Sequence, residues 1–259
     1  MLVTKNKVLI HFNTNDITVY SLKDNTLKVV GEERVNFGES FNIEILVEKI
    51  GKFLATLHKL VGVINNECVR LYATGIFQRG SQQEQTKLMI QIFVNYGLYF
   101  NIIPSDLEQF YLEKSMSVNG HKNMMEGLIC QEFRKVVVAG SIQNQLENIG
   151  EVMTTLQKRN ITVLFPTTTK VVPETLGTDF LVLEGQKLKN RRDGWRLQYE
   201  QMETYKQSDA IIVCNPDGLT GQGVVFEFGF MVAISKRIIF TEKPKNLSIV
   251  FPYEIGLNF

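Results

Sequence analysis

The chain opens with short apolar-rich runs parted by polar turns. Lys7-Val-Leu-Ile-His-Phe-Asn, Asp16-Ile-Thr-Val-Tyr-Ser-Leu and Leu27-Lys-Val-Val read as strands, with a turn at Lys23-Asp-Asn-Thr. Strands joined this closely predict an antiparallel meander. From Ile43 the period changes, and Leu46, Val47, Ile50, Phe53, Leu54, Leu57 and Leu60 join it on one face of a long helix. A strand at Val69-Arg-Leu-Tyr-Ala-Thr, a helix around Gln83 to Gly97, a strand from Tyr99 to Ile103 and a helix from Ser105-Asp106 follow. Strands first, then helix and strand in alternation, predict a compact domain over residues 1–115. Residues 116–133 lose the period, contain Asn119-Gly-His-Lys-Asn, and read as a linker.

A second pattern occupies residues 134–259. The strand Lys135-Val-Val-Val-Ala runs into Gly140-Ser141, followed by a helix from about Asn144 to Arg159 and a strand Ile161-Thr-Val-Leu-Phe stopped by Pro166. A polar helix from Arg192 to Lys206 leads to the buried strand Asp209-Ala-Ile-Ile-Val-Cys. A loop, an apolar helix and the strand Arg237-Ile-Ile-Phe complete the series. Strands alternating with helices imply a parallel sheet covered on both faces.

Composition narrows the partners. The 28 basic and 27 acidic residues leave a net charge of +1, which gives no electrostatic footprint for nucleic acid or a membrane surface. No apolar run reaches the ~18 residues of a membrane span, and Met1 to Lys7 is not a signal peptide. Cys68, Cys130 and Cys214 are odd in number and far apart, so neither a disulfide scaffold nor a local metal cluster is expected. His11, His58 and His121 are equally scattered. The expectation is a cytoplasmic protein that needs no metal and no cofactor.

Candidate chemistry concentrates in Asn215 to Phe230. The segment follows a buried strand and opens a helix, where doubly wound sheets bind ligands. Gly218, Gly221 and Gly223 allow tight turns and close backbone approach. Gly221-Gln-Gly223 is followed by Phe226 rather than a third glycine, and no Gly-Lys-Ser/Thr ends the loop, so neither a dinucleotide fingerprint nor a P-loop is present. Glu227 stands among Val224, Val225, Phe226, Phe228 and Phe230 on a helix apolar nearly all round, which predicts burial. A lone buried carboxylate costs several kcal/mol unless it is paired or used. Two readings stand: a nucleophile kept ionised by the helix dipole, or a rim residue that caps the helix. Trp195, beside Arg191-Arg192-Asp193-Gly194 and Arg196, reads either as a solvated loop or as a group that stacks on a base while the arginines grip phosphate.

Val136-Val-Val-Ala-Gly-Ser, Ser208-Asp-Ala-Ile-Ile-Val-Cys-Asn-Pro-Asp-Gly, Gly221 and Phe226-Glu-Phe-Gly-Phe make residues 133–243 resemble the nucleoside 2-deoxyribosyltransferase-like family. The resemblance implies a doubly wound flavodoxin-like parallel sheet, with Glu227 attacking the anomeric carbon of an N-glycoside and Asp217 positioning base or sugar. It implies that Gly140, Ser141, Gly221 and Gly223 face the substrate. One position departs: where many relatives carry an acidic residue or histidine, eight positions before Asp209, this chain has Gln201. Glu200 and Glu203, on one helix face at i,i+3, are the neighbouring substitutes, or simply a solvated polar face. Asp209 itself reads as structural at the strand entrance.

Gly38-Glu39-Ser40, Val69-Arg-Leu-Tyr-Ala-Thr-Gly-Ile-Phe-Gln and Ile103-Pro-Ser-Asp-Leu-Glu resemble the first lobe of the exopolyphosphatase and guanosine pentaphosphatase family. That resemblance implies a smaller actin-like (ribonuclease H-like) α/β lobe with Glu108 at the family's catalytic position. The family's phosphate loop is replaced by His11-Phe12-Asn13-Thr14-Asn15-Asp16, which lacks its aspartate and glycine, and the lobe reads as degenerate.

The whole chain is thus expected to be an α/β protein of two domains, 1–115 and 134–259, that cleaves or transfers an N-glycosidic bond of a nucleoside or nucleotide. The rival is a non-catalytic nucleotide-binding sensor or regulatory subunit whose N-terminal lobe docks a partner. The expected partners are that small molecule and further copies of the chain in a homo-oligomer, with no nucleic acid and no membrane.

Overall fold

A computed structural model describes residues 7–23, 26–61, 64, 68–176, 181–186, 193–248 and 250–256. The fold is mixed α/β with two five-stranded sheets, one in each of two compact units, Met1–Glu132 and Phe133–Phe259. No helix among the described residues is long and apolar enough to cross a membrane.

In the first unit, β1 (Lys7–Phe12), β2 (Asp16–Lys23) and β3 (Thr26–Arg34) form the predicted meander. The centre of the turn expected at Lys23-Asp-Asn-Thr, residues 24–25, lies outside the described residues. β4 (Val69–Ala73) and β5 (Phe100–Ile102) extend the sheet in parallel with β1, giving the order β3-β2-β1-β4-β5. Alternate residues of a strand face opposite sides, and both sides are used here. Ile10, Phe12, Leu71 and Phe100 pack with the buried face of α1 (Ile43–Val61) and with α2 (Gln82–Tyr96), whereas Leu9 and Tyr72 pack with α3 (Ser105–Asn119) and α4 (Met124–Cys130). The ring of Phe12 meets Phe37, Phe53 and Phe77 edge-on, a favoured aromatic geometry.

The expected linker 116–133 is structured. α3 continues to Asn119 and ends at the left-handed Gly120, and the Asn123 side chain caps α4 by accepting from the amides of Met125 and Glu126. Met124, Met125 and Leu128 are buried against Tyr111, so this segment is part of the first unit's core. A seven-residue helix is too short to show a period, which is why the sequence reads as irregular there. The boundary between the two units falls between Glu132 and Phe133.

In the second unit, β6 (Lys135–Ala139), β7 (Thr162–Phe165), β8 (Ala210–Val213), β9 (Arg237–Phe240) and β10 (Glu254–Ile255) lie in the order β10-β9-β8-β6-β7, every pair parallel. Val136 and Val138 face α5 (Leu146–Lys158), while Val137 and Ala139 face the side that carries α6 (Asp193–Lys206) and α7 (Gln222–Ala233). Asp209 holds the strand entrance: one carboxylate oxygen accepts from the amides of Arg134 and Lys135, the other from the Arg134 guanidinium at 3.0 Å.

Candidate functional site

The site is built where α6 and α7 face each other. α7 follows β8 through the Asn215–Thr220 loop, which is fixed by buried Asn215: its amide nitrogen donates to the Glu242 carbonyl, and its oxygen accepts from Thr241 and the Glu242 amide. α7 begins at Gln222 after Gly221, which gives no side-chain cap. Val224, Phe228 and Met231, at i, i+4 and i+7, pack on the sheet. Phe226 lies off that stripe and is 53% exposed, so the helix predicted to be buried all round is buried on one face.

Glu227 sits beside the stripe and points toward α6. Its Oε1 accepts from Gln201 Nε2 at 2.7 Å, and the phenol of Tyr205 also hydrogen-bonds its carboxylate. Gln201 donates to the Tyr205 oxygen as well, so the three side chains form a closed group. Burial lifts the Glu227 carboxyl to about 7, outweighing the two hydrogen bonds that favour its charged form. Tyr205, fully buried and next to that carboxylate, is held well above the usual phenol range. Glu227 lies in the second turn of α7, and the dipole fades within the first. The expectation that the dipole keeps it ionised is therefore corrected.

This group forms part of the wall of a cavity of about 510 Å³. α6 contributes Trp195, Gln198 and Met202 beside Gln201 and Tyr205; Ile142 and Phe165 come from the chain after β6 and the end of β7; α7 contributes Gly223, Phe226 and Glu227. Among the described lining residues, Glu227 is the one carboxyl, and no lysine, arginine or histidine accompanies it.

The predicted site residues part company around this cavity. Glu227 and Gly223 line it; Asp217, Gly140, Ser141, Gly221, Glu200 and Glu203 do not. Asp217 is exposed in the loop, with φ of 60°. Gly140 serves packing, because a Cβ there would stand 2.9 Å from Ile149 Cδ1 and 3.3 Å from Cys214 Cβ. The Ser141 amide donates to the Gln145 side chain, and its carbonyl starts the turn into α5. Glu200 pairs with Arg196, and Glu203 with Lys206, on the outer face of α6. Arg191, Arg192 and the Asp193 side chain lie outside the described residues. The sequence reading of α6 as a polar helix picks out Trp195 as a stacking candidate but not the rest of its inner stripe. Trp195, Gln198, Met202 and Tyr205 recur at helical spacing and were the available signal.

In the first unit, residues at the expected phosphate loop are held by internal hydrogen bonds, within the loop and to the Thr74–Ile76 segment. His11 Nε2 lies 2.8 Å from Thr74 Oγ1, and burial lowers the imidazole to about 4, so it is neutral. Asn13 Oδ1 accepts the Thr14 amide, Thr14 Oγ1 accepts the Ile76 amide, and Glu108 accepts from Gln78 at 2.7 Å.

No family model matches the chain. No curated protein matches it either. Among solved structures it is similar to an exopolyphosphatase-like protein (14% identity, TM-score 0.33, covering 44% of this chain and 38% of that one). It is also similar to the Ppx/GppA family member of Aquifex aeolicus (13%, 0.34, 81% and 66%) and an exopolyphosphatase from Cytophaga hutchinsonii (10%, 0.35, 83% and 68%). The chain thus spans less than two thirds of the first two proteins. All three bear the family description that the N-terminal half resembles, and none is described as a deoxyribosyltransferase.

The expectation of N-glycosidic cleavage or transfer is corrected accordingly. The similar structures are exopolyphosphatase and Ppx/GppA proteins. Among the described lining residues, Gln201, at the position where many relatives carry an acidic residue or histidine, offers a neutral amide already committed to Glu227 and Tyr205.

Proposed function

We propose that the C-terminal unit is a flavodoxin-like domain that binds a small organic molecule in the Glu227 cavity. The observation that carries this reading is the cavity itself: about 510 Å³ walled by aromatic and apolar side chains, with convergent polar groups at Glu227, Gln201 and Gln198. Small-molecule sites have this size and this mixture. The parallel order β10-β9-β8-β6-β7 supports the doubly wound reading, because such sheets place ligands beyond the carboxyl ends of their strands. Ile142 follows β6, Phe165 ends β7 and Gly223 follows β8.

Gly223→Leu tests the reading. A Cβ at Gly223 meets nothing within 4 Å, so leucine enters the cavity without a backbone clash and improves helix propensity. Ligands found by screening nucleosides and aromatic fragments are expected to shift the indole N–H resonance of Trp195, the one tryptophan of the chain. Gly223→Leu is expected to abolish those shifts with an unchanged or raised Tm. A wild type that binds no member of such a library at about millimolar concentration would sink the proposal.

For the N-terminal unit we infer an actin-like (ribonuclease H-like) lobe without a hydrolytic centre. The order β3-β2-β1-β4-β5 supports the first part, and the engagement of His11 by Thr74, of Asn13 by the Thr14 amide and of Thr14 by the Ile76 amide supports the second. The full chain is expected to release no phosphate from polyphosphate. Release that Glu108→Gln abolishes would overturn this.

A further inference from the structure

We propose that the molecule held in the Glu227 cavity is an organic cation built on a flat aromatic ring. The inference rests on the binding reading above and adds to it the charge of the ligand.

Three features converge. The first is the charge inventory: among the described residues that line the cavity, Glu227 and Tyr205 are the titratable groups. Tyr205 stays neutral, so among the described lining residues the one charge that can form is the negative charge of Glu227. The charged side chains of α6 that are described form pairs away from the cavity, Arg196 with Glu200 and Lys206 with Glu203. An ionised Glu227 therefore has polar partners in Gln201 and Tyr205 but no counter-ion among the described lining residues.

The second feature is aromatic. Phe165, Trp195 and Phe226 line the same cavity, and Trp195 and Phe226 are 67% and 53% exposed although they belong to its wall. Aromatic faces attract cations through their quadrupole, tryptophan most strongly, and flat rings stack on them. Large aromatic surface left open at a cavity marks a surface that something covers.

The third is the work done on the carboxyl. Burial raises Glu227 to about 7, so placing a negative charge there without an opposite charge beside it is unfavourable. A bound cation supplies the missing opposite charge and favours ionisation. A neutral ligand that accepts a hydrogen bond would favour the protonated carboxyl instead. The two classes thus have opposite pH dependence: cation affinity rises as pH passes upward through about 7, and that of a neutral acceptor falls.

The test titrates the full chain with 1-methylquinolinium and with quinoline, its uncharged counterpart, following the Trp195 indole resonance. At about pH 8.5 the cation is expected to bind roughly tenfold more tightly than quinoline. Its affinity should fall when the pH is lowered to about 5.5. Glu227→Gln should remove both the preference and the pH dependence while leaving quinoline binding in place. Quinoline binding as tightly as the cation at the higher pH would overturn the charge assignment and leave the binding reading standing. Cation binding unaltered by Glu227→Gln would overturn it as well. Failure of both probes to bind would count against the cation and the cavity reading together.

Discussion

Gly127→Ala is expected to be among the most damaging single-methyl additions to this protein. A Cβ on Gly127 would stand 1.8 Å from the backbone oxygen of Tyr111 and 2.5 Å from its carbonyl carbon. Backbone of α3 cannot rotate aside, so α3 and α4 must separate. Separation strips the packing of Met124, Met125 and Leu128 on Leu9, Tyr20, Tyr72 and Tyr111. Overpacking ordinarily costs 1–3 kcal/mol, and a clash against backbone belongs at or above the upper end, about 3 kcal/mol. That corresponds to a Tm lower by about 10 °C. Gly51→Ala is the instructive comparison: its Cβ would come within 2.0 Å of a neighbour, but the neighbour is the Tyr96 hydroxyl, at the movable tip of a side chain. Gly221→Ala, with nothing within 4 Å and φ of −77°, should be near neutral. Thermal unfolding of the three variants checks the order, and a Gly127→Ala protein that melts within about 2 °C of wild type would refute the account.

Glu227→Gln is expected to change how stability depends on pH. The native carboxyl titrates at about 7, against an ordinary value of 4.5. Between those values the native state holds a proton that the unfolded chain has released, so stability contributed by this residue falls as pH rises from 4.5 to 7 and stays low above. The loss is on the order of 2 kcal/mol, discounted because Glu227 keeps some solvent contact through the cavity. His11 works in the opposite direction. Its imidazole is lowered to about 4 from 6.5, so its contribution grows as pH rises across that range. Wild type alone would therefore show a blend of both slopes. The difference in Tm between Glu227→Gln and wild type removes the His11 part, and it should move in favour of the variant between about pH 4.5 and 7, then level off. The amide has only one acceptor oxygen for Gln201 and Tyr205, which adds a pH-independent offset. A difference that stays flat across this range would show that Glu227 is not protonated preferentially in the native state.

The α/β class and most elements were legible from the chain because their signals are local. The 3.6-residue period from Ile43 marks α1 correctly, and the apolar runs at Val136 and Ala210 mark β6 and β8, because burial on both sheet faces leaves no polar position. The oddness of a carboxylate at position 227 was equally visible, since it depends only on the residues beside it. Tertiary structure alone decided what that carboxylate does. Gln201 and Tyr205 lie 26 and 22 positions earlier on another helix, and no spacing rule joins them to Glu227. Their hydrogen bonds and the burial they impose set its proton affinity. The same holds for Gly140, whose glycine answers to Ile149 and Cys214 rather than to a ligand, and for residues 124–130, whose helix exists because Gly127 lets it lie against the backbone of α3. Hydrophobic period is written along the chain, whereas the company a polar group keeps depends on which distant elements the fold brings together. That is the physical reason the scaffold could be read from the sequence and the chemistry at Glu227 could not.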